Sequence, residues 1–102
     1  EFNDIINIGK YLKNHFYNIY YKDGLQTYPK FGIAVSKKFG NAVERNKVKR
    51  QLRNLIDQNK NLFANSNNYI IMIRKGVKDH SYSEMEEQFV QLLKKGFSNE
   101  KI

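Results

Sequence analysis

The stretch RNKVKRQLR, Arg45 to Arg53, decides how this chain is read. At about 100° per residue with Arg45 at zero, Lys49, Arg53, Asn46 and Arg50 fall between roughly 0° and 140°. Val48, Leu52, Leu55 and Ile56 fall in an arc from roughly 280° to 20°. The stretch therefore predicts one amphipathic helix with an apolar stripe and a separate basic stripe. Charge runs are most often solvated helix faces, and such faces mix signs so that i,i+4 pairs support the helix. Here no acid occurs between Arg45 and Ile56. A face that repels itself calls for a counter-charge, and the commonest one is a polyanion.

The rest of the composition agrees. The net charge is +8, and from Lys30 to Arg53 eight Lys and Arg stand against one acid, Glu44. Nearly the whole surplus sits in one segment, which favours a nucleic-acid footprint over a generally basic surface. With 102 residues, 40% of them apolar and 14% aromatic, the chain predicts a single folded domain over 1–102 with a modest core. Cysteine is absent, so disulfides and thiolate metal sites are excluded. His15 and His80 are far apart in sequence and read as surface or strand-end residues rather than as a zinc pair. No apolar run approaches membrane-spanning length and no signal peptide is visible, so a cytoplasmic protein with no membrane partner is expected. The sequence opens on Glu1 without a Met, which leaves room for further N-terminal residues.

Outward from the basic helix, Asn41 is its candidate N-cap and Asn59 to Asn61 its expected end. Lys37, Lys38 and Gly40 form the loop before it. Phe31 to Ser36, apolar on both faces, suits an inner strand, and Tyr69 to Ile73 a second wholly apolar one. Nearer the N-terminus, Phe2, Ile5 and Ile6 are spaced for a short helix stopped at Gly9. Tyr11 and Leu12 lead into one strand over residues 15–22, with Tyr17, Ile19 and Tyr21 facing one way and Phe16, Asn18 and Tyr20 the other. A last helix starts near Ser81 or Ser83, each with a Glu three residues on, and carries Met85, Phe89, Leu92 and Leu93 as its core stripe. Its early acids and late lysines suit the helix dipole, so it reads as structural and its glutamates as a poor metal site. No phosphate-binding glycine loop and no nucleophile–base constellation is visible. On its own side chains the protein reads as a binder.

The segment SKKFGNAVERNKVKRQLR carries Ser36-Lys37-Lys38, Gly40-Asn41-Ala42-Val43, Arg45-Asn46, Lys49-Arg50 and Arg53 at fixed spacing. It resembles the signature of the bacterial ribonuclease P protein component. FNDIINIG is similar to the first helix of that family, YIIMIRKG to its last strand, and Ser81-Tyr82 to its last helix start. Ile6 stands where the family often has a second aromatic, and Asn54 where an acid or Gln commonly follows the last arginine.

The resemblance implies an α+β fold: a single-domain α/β sandwich in helix–strands–helix–strand–helix order with a left-handed βαβ crossover around the basic helix. It implies the accessory protein subunit of an endoribonuclease that removes the 5′ leader of precursor tRNA. The chemistry would be carried by the RNA subunit with Mg²⁺, held mainly by that RNA, and no side chain of the protein would be catalytic. Lys37, Lys38, Arg45, Asn46, Lys49, Arg50 and Arg53 would contact the ribonuclease P RNA. Phe2, Ile6, Tyr17 and Ile19 would line a cleft for the single-stranded leader. Guanidinium forks suit pairs of phosphate oxygens and aromatic faces suit any base, so these residue types fit those roles. The alternative for Phe2, Tyr17 and Ile19 is plain core. The alternative for the whole protein is a non-catalytic RNA- or ribosome-binding module using the same helix on another structured RNA. A helix in the DNA major groove lacks a helix-turn-helix pattern around it. A membrane-surface helix lacks Trp or Phe at its boundary.

Overall fold

The computed structural model describes residues 10–24, 27–63 and 67–98. The predicted N-terminal helix, with Phe2 and Ile6, lies outside them. In chain order the described elements are strands β1 (Lys10–Lys13), β2 (Tyr17–Asp23) and β3 (Lys30–Val35), helix α1 (Ala42–Gln58), strand β4 (Asn67–Ile73) and helix α2 (Tyr82–Ser98). The four strands form one sheet in the order β1-β2-β4-β3. β4 runs antiparallel to β2 and parallel to β3, so α1 is the crossover between two parallel neighbours. This is the expected α+β architecture.

The helices cover one sheet face. Tyr17, Ile19 and Tyr21 of β2 and Tyr69, Ile71 and Ile73 of β4 meet Val48, Leu52, Leu55 and Ile56 of α1 and Met85, Phe89, Leu92 and Leu93 of α2 in one buried cluster. Period-two side chains from the strands and the apolar stripes of both helices thus fill the same layer. Rings dominate its far end, where Phe31 stacks on Tyr69 at 5.3 Å and Phe63 meets Tyr69 edge-on at 4.9 Å.

Two strand expectations are corrected. β3 is an edge of the described sheet, not an inner strand, and its residues from Phe31 onward are half-buried. Its second face carries Gly32, Ala34 and the exposed Lys30, which need no covering layer, whereas β4 buries Ile70 on that face and is the inner strand. The aromatic N-terminal run is two strands, not one. Asn14 breaks it: its Oδ1 accepts from the backbone N–H of Phe16 and of Tyr17, each at 2.8 Å, and its Nδ2 donates to the Gln88 carbonyl of α2 at 3.2 Å. An Asn side chain that mimics a turn carbonyl competes with the strand ladder. The turn it makes is pinned to the end of β4 by Arg74, whose backbone N–H donates to Phe16 O at 2.8 Å and whose Nη1 donates to Asn14 O at 2.6 Å.

Both helix starts use reciprocal caps. Asn41 Oδ1 accepts from Glu44 N at 2.9 Å while Asn41 N donates to Glu44 Oε1 at 3.1 Å. A Cβ on Gly40 would stand 2.6 Å from that same Oε1, so a side chain there would push Glu44 out of its cap. At α2, Ser81 is the cap and Glu84 its partner, which selects Ser81 over Ser83. Hydrogen bonds from His80 first, then from Ser81, hold the Glu84 carboxyl below the usual carboxylate range. The cap therefore contributes above that range and is lost as pH falls through it. Among the described residues no helix is long and apolar enough to cross a membrane.

Candidate nucleic-acid interface

The basic face is built on α1, whose apolar stripe docks it on the sheet and turns the opposite side outward. Asn46, Arg50 and Arg53 are exposed, as are Lys37 and Lys38 in the turn before the helix. That turn is fixed at both ends. Phe39 is buried, and Ser36 Oγ accepts from Lys38 N at 3.1 Å. The loop lysines and the helix arc thus belong to one rigid unit.

Arg45 and Lys49 differ from the rest of the arc. Both are half-buried, and the Nε of Arg45 is shielded from solvent without a hydrogen-bond partner. The two stripes are not separate, as the sequence reading had them: zero degrees lies inside the apolar arc, between the bearings of Leu52 and Ile56 at roughly 340° and 20°. The aliphatic stems of Arg45 and Lys49 therefore lie along the seam while their charges reach its rim. No acid pairs with Arg45, Lys49, Arg50 or Arg53 among the described residues: of the two acids that flank them in sequence, Glu44 caps Asn41 and lies 4.0 Å from Lys78, and Asp57 pairs with Lys60 at 3.5 Å. Uncompensated cations packed this closely lower the free energy of bringing a phosphate chain to the surface.

Tyr17 and Ile19 are not where a ligand could meet them. Both have 0% exposure, inside the layer between sheet and helices. The Tyr17 hydroxyl donates to Met85 O at 2.9 Å, and its ring meets Phe89 edge-on at 5.4 Å. Burial first, and the neighbouring Tyr82 second, push its phenol well above the ordinary tyrosine value, so it stays a donor. The alternation within β2 holds, but the side chains that point away from the helices are Asn18 and Tyr20, while Phe16, just before the strand, is buried in the core.

The sheet face away from the two described helices consists of three rows, roughly 7 Å apart along the strands, with Ile70 at its centre only 1% exposed. Lys13, Asn18, Met72 and Ala34 form the first; Tyr11, Tyr20, Ile70 and Gly32 the second; Lys22, Asn68 and Lys30 the third. In the middle row the Tyr11 and Tyr20 rings lie 6.1 Å apart, and Tyr11 is 61% exposed. In the first row Asn18 Oδ1 is shielded and has no hydrogen-bond partner. Sequence reasoning missed Tyr11 and Tyr20 because the unrecognised turn at Asn14 hid the pairing that brings them together.

No group of three or more His, Asp or Glu side chains among the described residues is placed to hold a metal ion. An unbroken cationic helix face on a small α+β sandwich defines a nucleic-acid-binding protein. The family model described as Ribonuclease P matches residues 1–96. The chain belongs to the ribonuclease P protein family. It is 47% identical over 95 residues to the ribonuclease P protein component of Mycoplasma mycoides subsp. mycoides SC, covering 92% of this chain and 87% of that one. The ribonuclease P protein from Thermotoga maritima superposes with a TM-score of 0.85 at 28% identity, covering 93% of this chain and 90% of that one. The Staphylococcus aureus protein gives 0.85 at 29% identity, with 93% and 87% covered. The family provides the protein component of a tRNA-processing ribonuclease, and its partner is the ribonuclease P RNA.

Proposed function

We propose that this chain docks on the ribonuclease P RNA through Arg45, Asn46, Lys49, Arg50 and Arg53, with Lys37 and Lys38 extending the contact. It also holds the 5′ leader of precursor tRNA on the outward sheet face. The RNA carries out the hydrolysis with Mg²⁺ that it holds itself, and the protein acts in the cytoplasm by positioning substrate and screening charge. The observation that carries this reading is the acid-free arc of α1, fixed on a rigid sheet and continuous with two loop lysines. The paired Tyr11 and Tyr20, with lysines in the rows on either side, supply what single strands need: a ring for any base and cations for the backbone. Phe2 and Ile6 are proposed as cleft residues on the sequence alone; Tyr17 and Ile19, buried in the core, do not line it.

Reconstitution tests it. Protein alone should leave precursor tRNA intact, and protein added to a bacterial ribonuclease P RNA should restore leader release at Mg²⁺ too low for that RNA alone. Cleavage by nuclease-free protein without RNA, or no rescue at low Mg²⁺, would overturn the assignment. The leader site has its own test. Tyr20→Ala should weaken holoenzyme binding of precursor tRNA by about 1–3 kcal/mol per stacked base and leave mature tRNA binding unchanged. Equal losses for both substrates would place the defect elsewhere.

A further inference from the structure

β3 and β4 are parallel neighbours, in register to their last residues, Val35 and Ile73. Beyond those carboxyl ends the two chains part. β3 continues through the Lys37–Phe39 turn into α1. β4 turns the other way, toward β2, where Arg74 is bound to Asn14 and Phe16. Where the two connections part beyond the strand ends they leave a crevice. Here the crevice is a cavity of about 150 Å³ lined by Ser36, Lys38, Phe39, Ile73 and Lys75. Its volume is several times the roughly 30 Å³ that one water occupies in the liquid, so it admits a group of several heavy atoms.

The lining has one chemical character. Phe39 and Ile73 are buried and make an apolar floor. Lys38 and Lys75 are exposed at the rim, and among the described residues neither ammonium has an ion-pair or hydrogen-bond partner. Ser36 Oγ already accepts from Lys38 N, which leaves its O–H to donate outward. No acid lines the cavity. Two ammonium groups and a hydroxyl donor with no competing acceptor are the chemistry of a tetrahedral oxyanion site.

We infer that this crevice seats one backbone phosphate of the ribonuclease P RNA, gripped from β3's exit by Lys38 and Ser36 and from β4's exit by Lys75. The site extends RNA contact beyond α1 to the β4–α2 connection and gives Lys75 a role that the α1 signature does not. It rests on the docking reading above.

Salt-dependent titrations of the RNA subunit with the full chain test it, with Arg50→Ala as the reference. Lys75→Ala should weaken binding and flatten the plot of log affinity against log salt by up to about 1. Lys38→Ala with Lys75→Ala should also flatten it by about 1, not 2, because both lysines serve one phosphate. Lys75→Arg should keep the slope. Titrating precursor tRNA without the RNA subunit identifies the source: an equal Lys75-dependent loss there would assign the phosphate to the substrate and overturn the inference as stated. A normal slope for Lys75→Ala beside a reduced one for Arg50→Ala overturns the crevice alone. No change for either variant overturns the docking reading on which it rests.

Discussion

Tyr17→Ala should destabilise the protein by about 3–5 kcal/mol, the range for emptying a large aromatic site in a packed core. That is a large share of the roughly 5–15 kcal/mol that keeps a domain folded. The ring has no exposed surface and packs edge-on against Phe89 of α2. Removing it empties the middle of the layer between β2 and α2, where neither neighbour can collapse without leaving its own partners. Tyr17→Phe keeps the ring and loses only the hydrogen bond to Met85 O. It should cost about 0.5–1.5 kcal/mol. Denaturant melts of the three proteins, read at unchanged slope, give both differences. If Tyr17→Ala instead melts like the parent and binds precursor tRNA more weakly, Tyr17 is a ligand platform and its placement in the core is wrong.

The Tyr17 case shows how far the sequence could be followed. Alternation in residues 17–21 separates two sets of side chains, and that separation holds in the sheet. Periodicity says nothing about which set faces the helices, because both contain tyrosines and each has an apolar member only a residue away. The decision is tertiary: Ile19 and Tyr17 stand opposite Ile71 and Ile73 of β4, which the helices cover. Asn41 as a cap, and Ser81 as one of two candidates, were legible because a cap is a local arrangement of three or four residues. The turn at Asn14 is equally local, but aromatic content on both sides of it reads as one strand and hides it. The edge position of β3 was not legible, because strand order depends on where α1 returns the chain. Lys75 carries no signal in its own neighbourhood; only the parallel pairing of β3 with β4 brings it beside Lys38.

Arg50→Ala and Lys47→Ala should give opposite results although each removes one positive charge from the same helix. Arg50 is exposed within the acid-free arc and has no partner among the described residues. Lys47, at roughly 200° on the helical wheel, lies outside that arc. The structure places it on the wall of a cavity of about 180 Å³ shared with Glu44, Lys78, Asp79 and His80. Acids already stand beside it, so a phosphate gains little there. Arg50→Ala should therefore weaken binding to the ribonuclease P RNA and reduce the salt slope by about 1, while Lys47→Ala should leave both nearly unchanged. Arg45→Ala should resemble Arg50→Ala in slope. Because the Arg45 stem is half-buried, it alone of the three should also shift the melting curve. A model in which only total charge matters predicts equal losses for all three. Fluorescence titrations across a salt series, with melting curves on the same samples, separate the two cases. Should Lys47→Ala cost as much as Arg50→Ala, α1 does not meet RNA with the face formed by Arg45, Lys49, Arg50 and Arg53.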